Sequence, residues 1–153
     1  KLTLLLPPGG EIKESLVEEH TGISKDFNSF ELLNAVIHKN VLKANQIVNY
    51  FEANPKNNPM VLTISTLFRY FLNLLTYHYQ KRETQNIQEM AKILGVHPFF
   101  MKDYTEGSRI YSAKKCATVI SLLREYDMKS KGVGNTNTSA GELLRELIFK
   151  IMH

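Results

Sequence analysis

The chain has 153 residues, of which 43% are hydrophobic and 22% charged, with no Trp; this suits one folded domain, alone or with a piece of another, and excludes a disordered chain. A net charge of +4 and a pI near 9.1 permit contact with nucleic acid or an acidic partner without demanding it, because 15 acidic residues nearly match 19 basic ones. The single cysteine excludes an internal disulfide framework, and no run reaches the ~18 apolar residues of a membrane span.

The hydrophobic period is helical almost throughout. Leu2 to Leu6 read as the end of a strand or helix, too short for a signal-peptide core, and Pro7-Pro8-Gly9-Gly10 then break any regular element. A start at Lys1 rather than Met leads us to expect a processed or truncated chain. A short helix is expected over Ile12–Glu19, stopping near Thr21-Gly22, with a boundary in the linker that follows. Asn28 and Glu31 stand in capping-box positions, so a helix starts at Ser29 with Phe30, Leu33 and Ile37 facing inward. The next helix places Ala44, Ile47, Val48 and Phe51 on one face. After a polar loop, Asn58 is expected as N-cap with Pro59 at the first helical position.

The longest helix carries Met60, Ile64, Leu67, Phe68, Phe71 and Leu75, widened by Leu72, Leu74 and Tyr79, and should be central. Ile87, Met90, Ala91 and Leu94 make a short stripe that ends at Gly95, and Pro98 opens another helix. Ser112 caps a helix whose face is Ala113, Cys116, Ala117, Ile120, Leu123 and Asp127; Cys116 there reads as a small buried hydrophobe. Ser139 and Glu142 form a second capping box before Ala140, Leu143, Leu144, Leu147, Ile148 and Ile151. The expectation is an all-α bundle of about seven or eight helices.

Candidates for chemistry are few. "PPGGE" lacks the Lys and Ser/Thr of a phosphate-binding loop, and no serine stands in a nucleophile elbow. The five histidines show no zinc spacing, so no metal, cofactor or catalytic residue is expected. His78, near a helix end, reads as solvated or as complementing the helix dipole. Asp127 lies on an apolar stripe four residues before Lys131; it either forms an i,i+4 pair or reaches a partner subunit. Arg69, beside a hydrophobic stripe, either snorkels to water or pairs with an acid.

The stretch "IQEMAKILGVHPFFMKDY" has the outline of a helix-turn-helix. A recognition helix needs outward cations and amides, whereas here Phe99, Phe100 and Met101 read as packing anchors and Asp103 and Glu106 would face phosphates. Only Lys102 offers a cation before Arg109. The stretch therefore reads as a helical corner, and a DNA-binding regulator is the alternative reading.

Five segments in order resemble the C-terminal part of the delta subunit of bacterial DNA polymerase III, a clamp-loader protein. They are "FNSFELLNAVIHKNVLKANQIV", "LFRYFLNLL", "AKILGVHPFFMKDY", "LLREYDMKSKG" and "GELLRELIFKI". The "PPGG" phrase and the Asn-rich loops resemble a Bacteroides-like version. The resemblance implies a helical collar domain over residues 25–153, preceded over residues 1–24 by the tail of an AAA+ lid domain. It implies a non-catalytic, cytoplasmic assembly module with no cofactor and no membrane. Its partners would be gamma/tau and delta-prime type subunits, and the sliding clamp would be reached only through an N-terminal domain outside these residues. Arg69, His97, Asp127 and Lys131 match the family pattern and, with Pro98 of the turn, are structural or interface candidates. Tyr50, Tyr70, Tyr77, Tyr79 and Tyr111 read as partly exposed aromatics suited to assembly. Any DNA contact would be weak, with the Gly132–Thr138 loop as the segment expected to approach the template.

Overall fold

Side-chain caps set most of the helix starts in the computed structural model, which describes residues 27–134 and 137–153. The Leu2–Leu6 segment and the helix expected over Ile12–Glu19 lie outside the described residues. Asn28 accepts the Glu31 N–H at 3.0 Å and opens α1 (Ser29–Ile37), and Asn40 accepts from Lys43 at 3.1 Å to open α2 (Val41–Ala53). Each cap satisfies one of the amide donors that a helix start leaves unpaired. α3 (Met60–Gln80) begins on Pro59 and α4 (Ile87–Leu94) on Asn86. A 3-10 turn (Pro98–Phe100) leads into α5 (Met101–Ile110). Ser112 caps α6 (Ala113–Ser130), and α7 (Ala140–Met152) opens on the reciprocal Ser139–Glu142 box. The described residues contain only helices and their connections.

α3 is the axis. It lies against α1, α4, α5, α6 and α7, with Met60, Thr63, Ile64, Leu67, Tyr70, Phe71 and Leu74 buried among them. By length and composition its 21 residues would also suit a membrane crossing, but Met60, Ile64, Leu67, Phe71 and Leu74 are used in the bundle core. α6 runs antiparallel along α3: the Arg124 guanidinium stands over the Phe68 ring near one end, and His78 meets Tyr111 at the other. α7 packs antiparallel to both α6 and α2, tied to α2 by Arg145 bonded to Asn49 and Glu52.

Several expected faces are rotated. In α1 the core residues are Leu32, Ala35, Val36 and Ile37, whereas Phe30 points to solvent. In α3, Leu72 and Tyr79 are exposed. In α4, Ile87 is exposed, and in α7 so is Ala140, while Met152 at the other end is buried. In α6 the buried line is Cys116, Val119, Leu123 and Tyr126, not the line through Ala117 and Asp127, because the helix is wedged between α3 and α7. The Tyr126 hydroxyl reaches Glu146 across that wedge, which lets a polar ring lie inside. Asn58 does not cap α3; its amide donates to the Asn54 carbonyl at 3.1 Å. Proline fixes φ but not ψ, and Pro59 keeps ψ at 140°, so the helix starts one residue later than expected.

Tyr70 and Tyr111 are core residues, not assembly aromatics. Tyr111 is fully buried with its ring edge-on to Phe71 at 5.1 Å and its hydroxyl donating to the Val36 carbonyl at 2.6 Å. Its own carbonyl accepts from His78 Nε2–H at 2.7 Å. His78 is therefore engaged in the bundle rather than solvated.

Two backbone positions are tight. α1 ends in a Schellman turn, with Asn40 N–H bonded to Ala35 O at 2.8 Å and Lys39 N–H to Val36 O at 3.1 Å. Lys39 holds the left-handed position at φ 53°, where a side chain costs about 1 kcal/mol relative to glycine. In α5, Tyr70 donates to the Asp103 carbonyl at 2.8 Å directly over Gly107, and a Cβ there would overlap the Tyr70 hydroxyl.

Gly107→Ala should therefore lower stability by about 2 kcal/mol, through overpacking and the displaced hydrogen bond. Adding Tyr70→Phe should recover part of that loss in denaturant melts, because the hydroxyl is what the methyl meets. Strictly additive costs would refute this packing account. A second test concerns His38, whose ring donates from Nδ1 to Asn34 O at 2.9 Å and from Nε2 to Glu106 at 2.8 Å. Only the imidazolium carries two N–H groups. Accordingly its pKa lies above the ordinary 6.5, first through the Asn34 carbonyl and then through Glu106. The resulting stabilisation is complete below the unfolded-state value and is lost as pH rises through the raised folded one. NMR titration should place His38 above 6.5, and the thermal midpoint should fall with rising pH more in the parent chain than in His38→Gln. A His38 titrating at or below its ordinary value would overturn the doubly donating geometry.

Candidate functional site

The rotation of α1 leaves Phe30 on the rim of an open groove of about 680 Å³. α1 supplies one wall through Phe30 and Leu33, and α3 the other through Leu62, Thr66 and Arg69. The corner after α4 closes one end with Val96, His97 and Phe100, and α5 contributes Asp103 and Tyr104. The rim is unusually apolar for a surface: Phe30 is 70% exposed, Leu62 52% and Phe100 49%.

The corner's geometry comes from three residues in sequence. Gly95 ends α4 at φ 72°, with Val96 N–H bonded to Ala91 O at 3.0 Å, the glycine stop that the sequence predicts. His97 then accepts the Phe99 N–H on Nδ1 at 3.0 Å, so it caps the 3-10 turn. Pro98 supplies the first residue of that turn. A 3-10 turn advances three residues per revolution rather than 3.6. Met101 thereby becomes the buried anchor, while Phe99 and Phe100, expected to pack, point outward. Phe99, Pro98, Lys102 and Arg109 border a second, shallower depression of about 390 Å³.

The groove floor is rigid. Tyr70 stacks on Tyr104 with centroids 4.9 Å apart and planes at 16°, and Asn73 donates to the Tyr104 hydroxyl at 3.2 Å. Burial pushes both phenols above their ordinary value, so they stay neutral. Burial likewise raises the Asp103 carboxyl, with His38 opposing. Ser29 and Thr66 hydroxyls, 3.1 Å apart, tie α1 to α3 beside the groove. Arg69 is exposed on the wall and has no ion-pair partner among the described residues.

The structure thus gathers Arg69 and His97 on one groove, with Pro98 adjacent, and leaves Asp127 and Lys131 elsewhere. Asp127 lies in the last turn of α6 and is paired at 3.0 Å with Lys131, the C-cap of that helix. Residues Phe30, Leu62 and Phe100 were not singled out as site residues from the sequence. At the helical period Phe30 falls on the side away from Leu32, Ala35 and Val36, and that placement is the signal for it. Nothing in the groove pairs a nucleophile with a base. Cys116 is buried and its thiol is pushed up to about 12, which leaves it unreactive. No group of three His, Cys, Asp or Glu among the described residues is placed to hold a metal. What this surface can do is bind: an exposed apolar rim around one uncompensated guanidinium is the composition of an interaction hot spot.

A comparison with curated protein sequences returns no match. Among solved structures, the Bacillus subtilis DNA clamp loader delta protein (YqeN) is similar with a TM-score of 0.65 at 20% identity, over 82% of this chain and 35% of that one. The likeness speaks for the fold, and the chain spans about a third (35%) of that protein's length. Residues 26–148 match the family described as DNA polymerase III delta subunit, C-terminal domain. That match covers most of the chain and carries through every described helix from α1 into α7, so the chain belongs to this family of C-terminal domains of the polymerase III delta protein.

Proposed function

We propose that this chain is the subunit-assembly domain of a clamp-loader delta subunit, acting in DNA replication by holding its protein against sister subunits of the gamma/tau and delta-prime type. In this reading residues 25–153 form the collar domain and residues 1–24 are the tail of a preceding lid domain. Contact with the sliding clamp then belongs to an N-terminal domain outside these residues. The domain works in the bacterial cytoplasm and does no chemistry of its own.

The observation that carries this reading is the groove bounded by Phe30, Leu62, Arg69 and Phe100. Leaving three large apolar side chains in water is unfavourable by roughly 25 cal/mol per Å², and a docked helix removes that cost. The complement to this surface is an amphipathic helix of a sister subunit, with apolar residues for the rim and an acidic side chain for Arg69. Asp103 lines the same groove but forms no ion pair with Arg69, which leaves the guanidinium open to that acid. The DNA-reading alternative gains no support from the corner. The outer side of its turn presents Phe99 and Phe100, and on α5 Glu106 is held by His38.

Co-purification of this chain with the organism's other clamp-loader subunits, followed by size-exclusion with light scattering, should give a stable mixed oligomer. Phe30→Ala, Phe100→Ala and Arg69→Glu should each weaken it at least tenfold, about 1.4 kcal/mol. All three side chains are exposed, so the melting temperature should hold. A monomer in the presence of folded partners would reject the assembly role. An oligomer indifferent to these variants would keep the role and move the interface elsewhere.

A further inference from the structure

Charge is distributed unevenly along the bundle axis. The Lys and Arg ion pairs to carboxylates among the described residues are Lys129–Glu125, Lys131–Asp127 and Arg145–Glu52, and all three sit where α2 and α6 end and α7 begins. At the opposite end α1 and α3 finish, α5 hands over to α6, and α7 terminates. Tyr111 marks that end, touched by His78 from α3 and, at 5.6 Å, by the Lys39 ammonium from the α1–α2 turn. Lys81 and Arg82 follow His78 by one turn, Arg109 precedes Tyr111 by two residues, and Lys114 and Lys115 follow it. Lys115 reaches the Lys150 carbonyl at 3.4 Å, which brings the end of α7 to the same place.

None of Lys39, Lys81, Arg82, Arg109, Lys114 or Lys115 has an ion-pair partner among the described residues. The nearby acids are few: Glu106 is held by His38, Glu89 accepts from Thr84, and Glu83 alone follows Arg82 in the turn. Two features count against a purely structural role for these cations, although Lys39 stands over the Tyr111 ring and Lys115 donates to the Lys150 carbonyl. Lys114 and Lys115 occupy the first turn of α6, where the helix dipole favours acids and none is present. Lys39 occupies a left-handed position that suits glycine better.

We propose that this end of the bundle binds the phosphodiester backbone of nucleic acid without reading its sequence. Lysine is depleted at the cores of protein interfaces, whereas flexible ammonium groups on an exposed surface suit phosphates as point charges. The site is separate from the groove, and the inference does not depend on the assembly reading. It also differs from both stretches that the sequence offers for a DNA contact. Gly132, Val133 and Gly134 follow Lys131 at the ion-paired end, and Arg109 lies beyond the recognition-helix outline of residues 87–104.

The test is fluorescence anisotropy of the 153-residue chain with a random-sequence duplex and a random single strand, across about 50 to 200 mM salt. Binding should weaken linearly in log–log form, with a slope near 0.9 per phosphate engaged on duplex and near 0.7 on single strand; the larger affinity identifies the preferred form. Lys114→Gln with Lys115→Gln should reduce the slope by about 2, and Lys39→Gly, which relieves the backbone, by about 1. Lys129→Gln with Lys131→Gln, at the other end, should leave binding unchanged. The proposal is overturned if neither nucleic acid binds at the lowest salt, or if the two double variants weaken binding equally. It is also overturned if polyglutamate of matched charge competes as well as the oligonucleotides, which would make this an acidic-protein surface.

Discussion

A buried tyrosine must satisfy its hydroxyl, and in this chain that requirement fixes how four helices meet. Tyr111 sits at the α5–α6 junction with its ring inside the core and its hydroxyl on the last turn of α1. Leaving that hydroxyl without a partner would cost on the order of 1–3 kcal/mol, so α1 must end where Val36 can accept. The tyrosine's carbonyl is in turn held by His78 near the end of α3, and Cys116 packs against the same carbonyl from α6. One residue thereby sets the relative height of α1, α3, α5 and α6.

The groove follows from that arrangement. With α1 pinned at its C-terminal end, its first turn meets α3 through the Ser29–Thr66 hydroxyl contact and turns Phe30 outward to the rim. Gly107 lets α5 approach α3 closely enough for Tyr70 to bond Asp103, which forms the floor. The 3-10 turn after His97 then swings Phe100 to the rim. A groove built on rigid elements can present its rim without first ordering a loop, which lowers the conformational cost of binding.

Features set by neighbouring residues were legible in the sequence. Asn28, Ser112 and Ser139 are capping residues that act within three positions, and the α2 stripe and most of the α7 stripe follow the helical period of their own apolar residues. Gly95 announced its own left-handed stop. What was not legible depends on tertiary partners. The inward face of α6 is chosen by where α3 and α7 lie, so Ala117 and Asp127 were read into a line with Cys116 and Leu123 that the fold completes with Val119 and Tyr126 instead. Tyr70 and Tyr111 read as surface aromatics because only the fold supplies the distant carbonyls, Asp103 and Val36, that offset the cost of their burial. Of the site, Arg69 and His97 were visible, whereas Phe30 and Phe100 were assigned inward. A half-turn error in a single helix is enough to convert a rim residue into a core one.

As proposed, the two surfaces would divide the work according to solvation. Arg69 stands alone among apolar side chains, and a guanidinium is weakly hydrated and planar, so its transfer into a protein interface costs less than that of an ammonium. The Tyr111 end carries mostly lysines, which are strongly hydrated and lose more when dehydrated, yet keep most of their water when they attract phosphates across a wet surface. Exchanging the two sets would weaken both: lysine in the groove would resist burial, and an aromatic rim around the lysines would be left open when only phosphates bind. The separation also keeps the basic end out of reach of the acid expected to pair with Arg69. A partner helix and a nucleic-acid backbone can then occupy the same domain together.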